Sequence, residues 1–328
     1  MNVTSVALGD DGNVYVLDQG ANHIRVFDSA GAELRTIGRE GQGPGEFGRP
    51  YSLAWIGDTL AVLDPGNGRI ELVTTDGRHA ATWRGSRITG RDVRLWQAGP
   101  SRIFLDSYRP TADGKMQMLF VSAGPDARDT LVIPERTGAD EVTAVTCKLP
   151  NGAITWFDVP FASVRIRAVS PEGFLVIGRT GDYRFTWYDG AGQPQRMMAF
   201  GADTIPIPDA YWDSVRTEYR AWRDKLVGAD CDRSDLPRPP HKDFVRAVTF
   251  DDQGRMWVEA VTADGFRLDA WVPEAGRRVA ALPAPERNPD VLFAVRGDRL
   301  ALVADDDEGQ RVVVYRIPGA SISPPGTS

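Results

Sequence analysis

Cysteine and histidine are scarce in this chain. Of its 328 residues only two are cysteine, Cys147 and Cys231, and three are histidine, His23, His79 and His241. The cysteines stand too far apart for a CxxC metal or redox motif. Two outcomes stay open for them, one disulfide in an oxidising compartment or two free thiols. The histidines fall on different loops, so neither a zinc set nor a Ser-His-Asp or Cys-His nucleophile system is assembled from them. His79 reads as solvated, and His241 shares a long insertion with Cys231, a pair too small to define a site. Positive charge is also short: 38 Lys and Arg against 45 Asp and Glu leave a net charge of −7 and a pI near 5.2. A continuous basic surface for a nucleic-acid backbone is therefore not expected. No apolar run approaches the roughly 18 residues that cross a bilayer, so no membrane span is expected either. After Met1 the sequence turns strand-like at once, without the charged and apolar regions of a signal peptide.

What is present is rhythm. Val14–Phe27 (VYVLDQGANHIRVF) is echoed by Leu60–Val73 (LAVLDPGNGRIELV), with Asp18 and Asp64 placed 46 residues apart. In both copies an alternating apolar run ends on Asp, a Gly-containing turn follows, and a second alternating run begins. A unit of about 40 to 50 residues built from short strands points to the four-stranded blade of a β-propeller. Six such groups emerge along a single domain, 1–328: about Val3–Gly38, Tyr51–Arg84, Asp92–Pro134, Val164–Gly201, Phe244–Pro283 and Asp290–Pro318. The turns carry the Asp and Gly that tight hairpins need, as in GDDGN and DSAGAE. The sixth group supplies three strands. A fourth is expected from residues upstream of Met1, trimmed from this copy, in preference to the tail around Ser321–Ser323, because an exposed ladder edge invites aggregation.

These residues resemble the NHL-type six-bladed propellers of bacteria. DPGNGRI, Asp64–Ile70, matches their D-x-x-N-x-R-I signature, and the first group departs from it with His23 in place of Arg. The linker Ile37–Pro50, IGREGQGPGEFGRP, is similar to the Gly-rich linker ending in GPGEF between their blades. The resemblance implies the fold and little chemistry; it also implies export to a periplasmic or extracellular location, since relatives usually carry a signal.

In such a ring the first-to-second and third-to-fourth turns share one face and are short here. Every long insertion belongs to the other face: Gly38–Pro50, Arg109–Lys115, Glu135–Ser163 and Ala202–Asp243. Insertions gathered on one face mark the expected binding face. The largest, between the fourth and fifth blades, holds a helix expected to start with Asp209 as N-cap and to end at Gly228, with Trp212, Val215, Tyr219, Trp222 and Leu226 at three- and four-residue steps. It reads as a lid packed by Trp212, Tyr219 and Trp222, with His241 beyond it; the alternative is a docking helix with an exposed aromatic stripe.

The glycines of 41–45 satisfy neither GxGxxG nor a GK[ST] phosphate loop, and no helix follows them. Asp18, Asp64, Asp106 and Asp305 each end a second strand, where a carboxylate accepts backbone N–H bonds of its own turn. No metal is required. Calcium, were it bound, would sit at Asp305, Asp306, Asp307 and Glu308. Arginine recurs where the innermost strands begin: Arg49, Arg91, Arg165, Arg167 and Arg246. Those positions fall at the channel mouth of the insertion face, an electropositive collar that would grip a carboxylate or phosphate, unless each guanidinium is paired with a neighbouring acid. The expectation is thus a monomeric, non-enzymatic binding module for a small anionic or saccharide-like ligand or a protein. The alternatives are a metal-dependent hydrolase resembling the propeller lactonases and a scaffold in an extracytoplasmic assembly.

Overall fold

The computed structural model describes residues 1–84, 94–99, 102–110, 116–123, 130–132 and 142–317. Its strands form antiparallel sheets, and the one α-helix among the described residues is α1, Asp209–Asp224. Five sheets have four strands in simple sequential order, and their innermost strands are Val3–Leu8, Ser52–Ile56, Leu95–Ala98, Arg165–Val169 and Val245–Phe250. The sixth sheet has three among the described residues, Ala294–Arg296, Arg299–Asp306 and Gly309–Arg316. The expectation that concerned the tail beyond residue 317 lies outside the described residues.

Burial explains why the second strands are almost wholly apolar while the fourth are not. Val14–Asp18 and its counterpart Thr59–Asp64 are covered on both faces. A strand covered on both faces keeps no polar side. Glu33–Ile37 and Pro194–Ala199 are outermost and expose most of their residues. The cores lie between consecutive sheets. Tyr15 and Ile24 meet Trp55 and Val62 between the first and second, and Leu63 and Ile70 meet Leu95 and Ile103 between the second and third. One large core spans the third to the fifth through Trp96, Trp187 and Met256. Trp257 and Leu268 join Leu300 and Leu302 between the fifth and sixth, and Val6 and Val16 join Ala301 and Val303 between the first and sixth.

The two long insertions form one small unit. Ala144–Lys148 and Ile154–Asp158 come from the first, Asp230–Cys231 from the second, and they pair as a three-stranded antiparallel sheet. Cys147 stands opposite Cys231 in the ladder and the two are disulfide-bonded. Helix α1 turns Trp212, Val215 and Tyr219 onto Val145, Val159 and Leu236, and Trp222 stacks near Phe157 with ring centroids 5.5 Å apart. The stripe is therefore covered by the unit's own sheet, not left open for docking. The expected N-cap is corrected: Pro208 occupies that position without a side-chain bond, and Asp209 is the first helical residue, paired with Arg238 at 2.8 Å. The helix also stops earlier than expected, with Lys225 as C-cap, and Gly228 falls in the following loop at φ 73°.

Candidate functional site

The Gly-rich linker is closed to ligands by its own neighbours. The Asp64 carboxylate accepts the backbone N–H groups of Gly48 and Arg49 and the side-chain amide of Asn67. Arg69, fully buried, donates to the carbonyls of Gln42, Gly43 and Glu46 at 2.6 to 2.9 Å. The N–H groups of Gly43 and Gly45 go to Glu46 and Glu71. The motif that resembles an NHL signature is thus a strap: its Asp, Asn and Arg hold the crossing between two sheets. Asp18 does the same for Asn2 and Gly20, and Thr180 for Val164 with a hydroxyl in place of the carboxylate.

Two cavities lie among the innermost strands. The smaller, about 170 Å³, is lined by Arg94, Trp96, Arg165, Ile166, Arg167, Arg246, Ala247, Val248, Arg287, Pro289 and Leu292. It sits where the fourth and fifth innermost strands begin, and among the described residues its lining holds five guanidinium groups and no carboxylate. Three of the five expected collar residues, Arg165, Arg167 and Arg246, come together here. Arg49 is exposed in the linker and lines neither cavity, while Arg91 lies outside the described residues. Arg94 and Arg287 escaped the sequence analysis. Arg94 stands in the same phase just before its strand and was legible; Arg287 belongs to the link before the sixth sheet, where no repeat marks it.

Two acids act on the arginines of this cavity, Glu259 and, more weakly, Glu286. Glu259, buried, gives both carboxylate oxygens to Arg287 at 2.6 and 3.0 Å. Arg287 spends a further nitrogen on the carbonyls of Asn288 and Val291. Arg246 is left with a 3.7 Å approach to Glu259 and a stacking contact over Phe266 at 4.1 Å. Burial holds its pKa below the usual arginine range; Glu259 opposes that shift and the neighbouring Arg287 adds to it. Guanidinium groups keep their proton in proteins, so Arg246 stays charged and only partly compensated by the acids near it. Arg165 makes no ion pair or hydrogen bond among the described residues, and Arg94 donates to the Asp290 carbonyl.

The larger cavity, about 530 Å³, occupies the far halves of the innermost strands and takes in Leu53, Trp55, Gln97, Phe250, Asp251 and Arg296. Sequence alone did not signal it, because its walls are ordinary strand residues. The expected lid residues Trp212, Tyr219, Trp222 and His241 line neither cavity. The first three serve the insertion unit's core, and His241 rests against Phe244 with its Nδ1 near the Lys242 carbonyl. Among the described residues no three His, Cys, Asp or Glu side chains gather to hold a metal ion. Within the run from Asp305 to Glu308, Asp306 is engaged by Arg311 at 2.7 Å and by the Glu308 N–H at 2.9 Å.

Comparison with known proteins supports the architecture and stops there. A family described as a 6-bladed beta-propeller matches residues 2–70. No curated protein sequence matches. Among solved structures the chain is similar to a Bacteroides fragilis protein provisionally classed as exported, at 12% identity and a TM-score of 0.50, over 96% of this chain and 90% of that one. It is also similar to virginiamycin B lyase from Staphylococcus aureus, at 12% identity and a TM-score of 0.42, over 92% and 90% of the two chains. A provisionally assigned 6-phosphogluconolactonase from Bacteroides uniformis gives 15% identity and a TM-score of 0.42, over 95% and 80%. Identities this low bear on fold and carry no chemistry.

Proposed function

We propose that the six principal sheets are the blades of one propeller, and that the protein is a non-enzymatic binding module whose channel mouth takes a small carboxylate or phosphate. One observation carries this: five arginines from three sheets and a link converge on one cavity whose lining holds no acid among the described residues, and the buried Glu259 is already held by Arg287. An anion placed there adds counter-charge beside Arg165 and Arg246. Guanidinium groups suit it because their planar forks accept two oxygens at once. The same lining disfavours the hydrolase alternative, since cations at a channel mouth need carboxylate or amide oxygens as ligands. The disulfide between the insertions suits an oxidising compartment, in keeping with an exported protein.

Calorimetric titration with inorganic phosphate and with succinate tests the proposal. Binding weakens at least tenfold in Arg165→Ala and in Arg246→Ala, and falls with added chloride. Unchanged binding in both variants, or none to the folded wild-type chain, overturns it. Arg165 is the sharper probe, because its removal strands no internal partner among the described residues.

A further inference from the structure

The two cavities are neighbours in a specific sense. Arg94, Trp96 and Leu292 line both, so the arginine-rich mouth and the wider chamber meet across these three side chains. Their sizes differ in a way that matters. Pockets that hold small molecules usually enclose about 300–1,000 Å³. At about 170 Å³ the mouth falls short of that and accommodates a head group alone, whereas the chamber, about 530 Å³, lies within the range.

The chamber's chemistry is different from that of the mouth. Leu53, Trp55, Trp96, Phe250 and Leu292 contribute apolar surface to its wall. Three charged groups at its far rim are engaged already, and a fourth, Glu172, is an exposed carboxylate. Asp251 accepts from Arg255 at 2.6 Å and from the Trp257 indole at 2.7 Å. Arg296 is paired with Asp10 at 2.6 Å, and Asp252 accepts the Gly297 N–H at 3.0 Å. A second anionic charge on a ligand would meet the carboxylates of Asp251, Asp252 and Glu172 and be repelled.

We infer that the ligand is elongated and charged at one end only: a carboxylate or phosphate head held at Arg165 and Arg246, and an uncharged, largely apolar body that passes Trp96 and Leu292 into the chamber. This assignment rests on the anion-binding proposal above and narrows it to one ligand class. Each methylene that enters the chamber strengthens binding roughly fourfold, from about 0.8 kcal/mol per buried CH₂.

The test is an NMR titration of the full chain with acetate, butanoate, hexanoate and 4-phenylbutanoate, followed at the indole N–H signals. Affinity rises at least tenfold from acetate to hexanoate, and every member weakens in Arg165→Ala. Thr249→Trp, which fills the chamber wall, abolishes the dependence on chain length and leaves acetate binding intact. Phe250→Ala serves as a second chamber variant, in which the gain from 4-phenylbutanoate shrinks. If acetate binds through Arg165 and longer acids bind no better, the elongated-ligand inference is overturned and the anion site stands. If no acid binds, or binding ignores Arg165, the anion proposal itself falls and takes the inference with it.

Discussion

Arg69 shows how much one side chain carries in this fold. Its guanidinium is 2% exposed, lies 3.3 Å from Glu71 and 3.7 Å from Asp64, and satisfies three linker carbonyls. Removing one member of a buried charge cluster costs about 3–5 kcal/mol, because the remaining charges stay buried and unpaired. Arg69→Ala therefore lowers the stability of the chain by that amount in equilibrium denaturation with urea. Arg69→Lys recovers little of it, since an ammonium cannot span the carbonyls of Gln42, Gly43 and Glu46. Tyr15 makes a second residue-scale prediction. Burial first, and then the hydrogen bond to Asp11, push its phenol up to about 12. Its folded pKa lies above the ordinary value of 10, so the stabilisation is fully present below pH 10 and drains away as pH rises from 10 to about 12. Tyr15→Phe flattens that part of the stability profile relative to wild type, as pH-dependent denaturation will show. Asp64 and Arg69 were visible in the sequence as a motif. Their linker partners were not, because they lie 15 to 27 positions away and nothing in a hairpin pattern says where a crossing folds back.

At the scale of the element, the insertion unit is the part whose pairing the sequence left open. Glu135–Ser163 and Ala202–Asp243 read as separate elaborations, whereas β-pairing of Cys147 with Cys231 and a shared core make them one body. Periodicity found helix α1 and its buried stripe; it could not tell which surface covers that stripe, since most of the covering sheet comes from sequence on the other side of the fourth sheet. The unit's core contains Val145, Trp212 and Tyr219 and no strand of the six principal sheets, so it is expected to open locally. The disulfide spans 84 residues and constrains that opening. Cys147→Ser with Cys231→Ser loses about 2–4 kcal/mol of protection in the unit. Hydrogen exchange over 142–162 and 205–240 accelerates accordingly, while Val14–Asp18 and Thr59–Asp64 keep wild-type protection. A uniform acceleration throughout the chain would mean the unit and the ring unfold together.

Across the whole molecule, the seam between the first and sixth sheets joins the two ends of the described chain. Arg299 donates to the carbonyls of Gly9 and Gly12, Arg296 pairs with Asp10, and the Val3 N–H reaches Gln310. Hydrogen bonds from a charged donor contribute about 1.5–3 kcal/mol each. Arg299→Ala lowers the thermal midpoint, and Arg277→Ala, at an exposed site remote from the seam, leaves it within error. Six-fold repetition made the sheets legible from sequence, and the phase of Arg165, Arg167 and Arg246 made part of the mouth legible too. The chamber was not, because a cavity is the space between strands and leaves no mark on any one of them.

The arginine-lined mouth is the claim on which the functional account stands, and anomalous diffraction from a crystal soaked in selenate addresses it most directly. The account predicts a selenium peak within hydrogen-bond distance of Arg165 and Arg246, absent from Arg165→Ala crystals grown in the same form. Peaks confined to exposed surface arginines, with the mouth empty, would contradict it.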